Sequence, residues 1–352
     1  MSTNPEVLQH PTTRSGGGVV VGVDVGGTKT NATIIDLDGT FLVDRMVEVP
    51  SRVLEGPDAA LAAVGAAIAH VLDTCGVQHD AIRSVGLDTP GPASANGVIS
   101  VRGATNFPDR AWWGFDFRAA VEQHLQLPVV YNNDGNAAAL YAHTVLFGGD
   151  ARNRSSVSAI VGTGLGGGVI EAGHVVRGAS GMAGELGHVQ IPLDGVLGEG
   201  QPVPRCKCGL SADLESVASL TAIETNLLPY WLTRYPDHPL AAAASPHEAA
   251  MAVRGYGERG DEMALKIFEQ QAQAIGRMFT IASNFTDPDA YFVGGGVIEA
   301  APEFREWFMA TVQAATSLRE EQAAVAIFAL VPELDMAGAR GSALAALESI
   351  RG

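Results

Sequence analysis

Cysteine is nearly absent from this sequence: 352 residues carry three, Cys75, Cys206 and Cys208. That is too few for a disulfide framework and fits a reducing compartment. Basic residues are outnumbered as well, 22 Lys and Arg against 39 Asp and Glu, for a formal net charge of −17. The balance excludes a broad surface for nucleic acid or anionic lipid, while leaving room for a nucleotide held locally by loops and a divalent cation. Long apolar runs are missing too. The greasiest stretch, residues 59–72, is alanine-rich and interrupted by Gly65 and His70, and reads as too short to cross a bilayer. Residues 1–17 hold Ser, Thr, Pro and Gly without an apolar segment and read as a disordered tail, not a signal peptide. No G-x-x-x-x-G-K-[ST] run occurs, which removes the P-loop class. The expectation is a cytoplasmic protein with neither a membrane nor a nucleic-acid partner.

What the chain does have is glycine in three clusters, each behind a β-branched run: Asp24-Val25-Gly26-Gly27-Thr28-Lys29-Thr30, Gly162-Thr163-Gly164-Leu165-Gly166-Gly167-Gly168 and Gly294-Gly295-Gly296. Glycine lets a backbone turn with φ > 0 and approach another group closely. A strand followed by a glycine turn, used three times, points to three loops converging on a phosphate-rich ligand. Gly162, Gly164 and Gly167 formally match G-x-G-x-x-G, but the residues behind them alternate like a strand instead of opening a helix, which argues against a dinucleotide fold. A β-hairpin whose backbone N–H groups nest phosphate oxygens fits better. Asp24 is placed to organise Mg²⁺ through water, with Thr28 and Lys29 as further donors.

The hydrophobic content of 47% supplies ample core, and the length suits two domains. Strands are expected at 19–25, 31–37, 41–49, 84–87, 128–131, 157–162, 168–171 and 325–331. Helices are expected around Leu61–Leu72, then at 115–125, 135–147, 210–227, 245–256, 262–284 and 337–350. The Pro/Ala-rich stretch 229–246 reads as a surface insertion. Both halves open with strand, glycine turn, strand, which hints at an internal duplication with the active site between the halves.

In order along residues 18–350, Asp24-Val25-Gly26-Gly27-Thr28-Lys29, Asn133-Asp134, Gly164-Leu165-Gly166-Gly167-Gly168, Gly184-Glu185-Leu186-Gly187-His188, Cys206-Lys207-Cys208-Gly209 and Gly294-Gly295-Gly296 resemble the motifs of ROK-type sugar kinases, the bacterial glucokinases and their relatives. The resemblance implies an α/β, actin-like ATPase (ribonuclease H-like) fold with two domains around a hinged cleft. A small domain would comprise 18–131 plus 336–352 and a large one 132–335, with the last helix returning to the first. It also implies ATP- and Mg²⁺-dependent phosphorylation of a hexose primary hydroxyl, glucose by default, in a homodimer or homotetramer. Gly26, Gly27, Thr28, Lys29, Gly162, Thr163, Gly164, Gly166, Gly294, Gly295 and Gly296, with Asp24, would hold the nucleotide.

By the same resemblance Asp134 is the general base that accepts the proton of the attacking sugar hydroxyl. Asn106, Asn133, Glu185, His188 and Glu215 are candidate sugar contacts, because each sugar hydroxyl needs a donor and an acceptor. Read from its position alone, Asp134 is equally a helix N-cap. Many family members carry a structural zinc on one His and three Cys. Here His188, Cys206 and Cys208 match and the third Cys is missing, so Asp213 would complete the site or the site has decayed. Asn132 stands where glucose-phosphorylating members often have an acidic residue, and this leaves another hexose, an N-acyl amino sugar or a cyclitol as acceptors. The rivals are a repressor of the same family, disfavoured by the short segment before the first glycine loop and by the charge, and a sugar-binding protein without catalysis.

Overall fold

The computed structural model describes residues 17–91, 93, 96–101 and 107–351. The expected tail at 1–17 therefore lies outside the described residues apart from Gly17, as does the expected sugar contact Asn106.

Two five-stranded sheets carry the molecule. The first contains β1 (Val19–Val25), β2 (Lys29–Asp36), β3 (Val47–Pro50), β4 (Ile82–Thr89) and β5 (Val129–Asn133) in the order β3-β2-β1-β4-β5. The second contains β6 (Ser156–Val161), β7 (Leu165–Glu171), β8 (His174–Val175), β9 (Ala290–Gly295) and β10 (Ile327–Leu330) in the order β10-β9-β6-β7-β8. In each sheet the first three strands of the chain are antiparallel neighbours and the last two join in parallel. Order and sense are the same in both, as a duplicated unit requires.

The helices are α1 (Pro57–Cys75), α2 (Phe117–Leu125), α3 (Asp134–Phe147), α4 (Leu220–Ala222), α5 (Leu228–Leu232), α6 (Pro246–Gly257), α7 (Glu262–Thr286), α8 (Pro302–Ala315), α9 (Glu320–Ala323) and α10 (Leu334–Arg351). One face of the first sheet, with Val21, Val23 and Val25, packs on Val64, Ile68 and Val71 of α1. The other face, with Val20 and Ile35, packs on Ala343, Ala346 and Leu347 of α10. The last helix thus returns to the first sheet, and it does so closely. A Cβ on Gly22 or Gly86 would lie 2.0 Å or 1.9 Å from a backbone oxygen of that helix, so only glycine fits in those strands. The second sheet builds its own core with α6, α7 and α8 around Phe268, Phe279, Tyr291 and Phe308.

Several expectations need correction. The apolar stretch at 59–72 belongs to a helix of 19 residues, long and apolar enough by length and composition to cross a membrane. Length therefore excludes nothing; the helix buries one face in the first core. The expected strand 41–49 is a strand only at Val47–Pro50. The expected helix 210–227 is irregular until Leu220. There the Asp213 carboxylate accepts from Ser216 N at 3.0 Å, the Ser216 hydroxyl donates to the Asp213 carbonyl at 2.7 Å, and Ser219 caps Ala222 N at 2.9 Å, local bonds that compete with helix. From there the chain winds α, π and α to Leu232. The supposed insertion 229–246 contributes buried Tyr230 and Leu240 and is part of the second core. Helix α8, absent from the sequence reading, packs beside α7 through Phe304, Phe308 and Val312.

Candidate active site

Strand register builds the first half of the site. Glu48 pairs with Asn31, Asn31 with Asp24, Asp24 with Asp88 and Asp88 with Asn132. Residues paired this way share a face, so five strands present one polar row. The row lies near the carboxyl ends of the parallel strands β1, β4 and β5, where open α/β sheets bind ligands. Asn31 Nδ2 donates to Asp24 Oδ2 at 3.2 Å. Asp88 is fully buried and its Oδ2 accepts from Ser342 of α10 at 2.7 Å. Burial, and then the charge of Asp24, push the Asp88 carboxyl well above the usual carboxylate range. Asp24 itself is raised by burial and pulled back by the bonds from Asp88 and Asn31. Asp88 was not found from the sequence. The available signal was an acid following the apolar run Val85-Gly86-Leu87, where an edge of the sheet must open to a ligand.

The next two residues settle the role of the strand–helix junction. Asn133, not Asp134, is the N-cap of α3, its Oδ1 accepting from Asn136 N at 2.7 Å. Its Nδ2 donates to Glu185 Oε1 at 3.0 Å. Asp134 is thereby released from capping and lies open toward solvent, with the Gly135 N–H donating to its Oδ1 at 2.7 Å. Crowding by protein on its other sides, together with the charges of Asp24 and Glu185, raises its pKa to about 7.

The glycine clusters divide two and one. Val161 of β6 is in register with Gly295 of β9, so the second and third clusters are neighbours. Gly295 has φ +99°, and a Cβ there would lie 1.8 Å from the Val161 carbonyl oxygen. Gly294 packs on Val331, and the Gly296 carbonyl accepts from Arg254 at 2.6 Å. In the second cluster Gly162 N bonds Gly164 O at 2.9 Å, closing the turn, and Leu220 N and Thr221 N bond Gly162 O and Thr163 O. This hairpin meets α3, because a Cβ on Gly135 would lie 2.5 Å from Gly167 O; Gly166 is adjacent, 3.8 Å from that position to Gly135 Cα. The first cluster turns through Gly26 N to Lys29 O at 2.8 Å, leaving Thr28 and Lys29 exposed; Lys29 pairs with Glu48. A cavity of about 890 Å³ opens beside it. Asp24, Lys29, Asn31, Arg305, Val331, Glu333 and Asp335 contribute to its lining, and no glycine of the three clusters does.

His188, Cys206, Cys208 and Asp213 place their ligand atoms within 4.8 Å of one another. The Asp213 carboxylate, buried, lies 3.4 Å from His188 Nδ1 and 3.6 Å from Cys208 Sγ. That bond raises the His188 pKa to about 9, while Asp213 is lowered despite its burial. Two thiols, an imidazole and a carboxylate form a donor set suited to zinc. Glu215 is held by protein groups on both carboxylate oxygens. Its Oε2 accepts from Leu165 N at 2.9 Å and its Oε1 faces Cys206 Sγ at 3.3 Å, so both oxygens link the cysteine loop to the second glycine hairpin.

Comparison with known proteins gives the same answer from several directions. The sequence profile described as the ROK family matches residues 20–349. The glucokinase of Halalkalibacterium halodurans is 31% identical over 286 residues, covering 80% of this chain and 81% of that protein. An N-acetylmannosamine kinase of Escherichia coli is 29% identical over 329 residues, covering 92% and 97%. Among solved structures, a ROK family glucokinase from Streptomyces griseus in complex with glucose and AMPPNP superposes with a TM-score of 0.67 at 26% identity, covering 94% of this chain and 100% of that one. The fold is that of the actin-like ATPases.

Proposed function

This chain is an ATP-dependent sugar kinase of the ROK family, and from that premise we propose that it transfers the γ-phosphoryl group of ATP to the primary hydroxyl of a hexose, with glucose as the default acceptor. The observation that carries the proposal is the division of labour at 133–134: Asn133 caps the helix, which leaves the Asp134 carboxylate free. A pKa of about 7 suits a base that works near neutral pH. In phosphoryl transfer the protein positions reactants and neutralises charge, while the base steers the hydroxyl proton. Asn133, Glu185 and His188 would contact the sugar. Glu215 would support the second glycine hairpin, and Asn106 keeps its sequence-based role as a sugar contact.

The nucleotide would lie along the cavity beside Asp24 and Lys29, its phosphates received by the backbone N–H groups of the first two glycine turns. Asp24 would hold Mg²⁺ through water, and the metal would neutralise phosphate charge. His188, Cys206, Cys208 and Asp213 would hold zinc, whose part is to stiffen the loop that carries Glu215. The two sheets with their cores would act as the lobes of a hinge, divided as the sequence reading expects.

A second acceptor class has its own support. Asn132 replaces the acidic residue common in glucose-phosphorylating members, and the similar chains include an N-acetylmannosamine kinase. An N-acylated amino sugar is therefore the alternative acceptor. Coupled ADP release with Mg·ATP and a panel of hexoses, N-acetylhexosamines and cyclitols decides between them. Turnover with hexoses alone supports the first reading; turnover confined to N-acetylhexosamines replaces it with the second; no turnover with any acceptor overturns both.

A further inference from the structure

Arg177 follows β8 of the second sheet and opens the loop that ends at Glu185. That loop bends at three left-handed glycines, Gly178 (φ +69°), Gly181 (φ +86°) and Gly184 (φ +88°). The Arg177 guanidinium leaves its own sheet and reaches the end of β5. There Nη1 donates to the Tyr131 carbonyl at 2.8 Å and Nη2 to Asn132 Oδ1 at 2.9 Å. Asn132 is 2% exposed and closes the polar row that begins at Glu48. Eight residues later the same loop returns to the same strand end, where Glu185 Oε1 accepts from Asn133 Nδ2 at 3.0 Å. The loop is therefore fastened at both ends to three consecutive residues, 131–133, immediately before Asp134. Arg177, Gly181, Asn132, Asn133 and Asn136 line one small enclosed gap between these segments.

We propose that Arg177 is a positioning residue for the reaction: it ties the base of the Glu185 loop to the end of β5, so that Glu185, Asn133 and Asp134 keep one geometry although Glu185 comes from a loop that follows the other sheet. A forked guanidinium suits this task, because it grips two acceptors in a fixed plane where an ammonium offers a point charge. The neutral acceptor at Asn132 is also informative. Among the described residues Arg177 makes no ion pair; its contacts at 131 and 132 are hydrogen bonds to uncharged groups, weaker than a buried ion pair. The side chain touches neither reactant in this account; it acts through the residues that do.

The kinetic arm of the test rests on the sugar-kinase reading, and the exchange arm does not. Arg177→Ala should lower kcat/KM for the sugar by about 10-fold to 100-fold, as expected when reacting groups are misplaced by about 1 Å, with KM for ATP little changed. Arg177→Lys should recover part of the loss, and Asn132→Asp, which supplies a charged acceptor, should tighten the link. Hydrogen–deuterium exchange of the substrate-free protein should speed up in Arg177→Ala at both 129–136 and 177–188, and slow at both in Asn132→Asp. Faster exchange at 177–188 alone overturns the proposal, as does a loss of activity accompanied by faster exchange throughout the molecule and no recovery with lysine. If the unaltered protein phosphorylates no sugar, the kinase reading fails while the paired exchange response still decides the role of Arg177.

Discussion

Asp88 lies beside Asp24 in the parallel pairing of β4 with β1, and burial together with the Asp24 charge pushes the Asp88 carboxyl well above the usual carboxylate range. Ser342, from the last helix, donates to the other Asp88 oxygen at 2.7 Å. A helix residue 254 positions downstream in the chain thus fixes the partner of the acid proposed to organise Mg²⁺.

Because burial and the Asp24 charge favour the protonated form of Asp88, Asp88→Asn should be tolerated. The amide NH₂ replaces the acid proton toward Asp24, and the amide oxygen still accepts from Ser342. We expect activity within about threefold of the unaltered protein and an unchanged melting temperature, since a carboxyl whose neutral form is favoured loses little when replaced by its neutral isostere. Asp88→Ala leaves the Ser342 hydroxyl unpaired and should lower the melting temperature. Thermal melts and steady-state kinetics on both variants check this; equal damage from Asn and Ala would contradict the neutral acid.

Asp134→Asn should fold normally, since Asn133 holds the cap, and should lose about 10²- to 10⁴-fold in kcat. Circular dichroism and steady-state kinetics test the two halves of that statement. A variant with near-normal turnover would remove Asp134 from the chemistry.

The same carboxyl sets a pH dependence. As a base it must be deprotonated, so kcat/KM should fall about tenfold per pH unit below about 7. Stability runs the other way. The folded-state pKa is raised from 3.8 to about 7, so the folded protein binds the extra proton between those values and this group's contribution is lost as pH rises through about 7. In Asp134→Asn that slope should vanish from a denaturation series at pH 4 to 8.

Gly295→Ala should be among the most damaging single changes in the molecule. The residue has φ +99°, and its Cβ would meet the Val161 carbonyl at 1.8 Å. Left-handed strain alone costs about 1–3 kcal/mol, and the overlap forces β6 and β9 apart. Chemical denaturation measures the loss; a change under about 1 kcal/mol would contradict the register of those strands.

Protein purified without added zinc should carry about one zinc per chain, and Asp213→Ala should reduce that content in elemental analysis. Zinc content unaffected by Asp213→Ala would place the carboxylate outside the metal site. An absence of zinc in the unaltered protein would make the His188–Asp213 pair a plain hydrogen bond.

Much of the site was legible because its chemistry is local. Glycine after a β-branched run announces a hairpin or tight turn wherever it sits, and Asn-Asp between a strand and an alanine-rich segment announces a helix start. Which of the two caps the helix was not legible, since Asn and Asp are both favoured at that position. The 210–219 segment misread as helix for a related reason: its apolar spacing is helical, but Asp213 and Ser216 bond their own backbone first.

By itself the amino-acid order determined the strand–turn units and the glycine positions, since these follow from backbone sterics and short-range hydrogen bonding. Only the tertiary structure decided that Asp88 is a buried acid facing Asp24, that Glu215 joins the cysteine loop to a glycine hairpin, and that Arg177 reaches across to Tyr131 and Asn132. Each of those is a contact between residues far apart in the chain, and its energy depends on burial and on the register of whole sheets, quantities that exist only once the chain has packed.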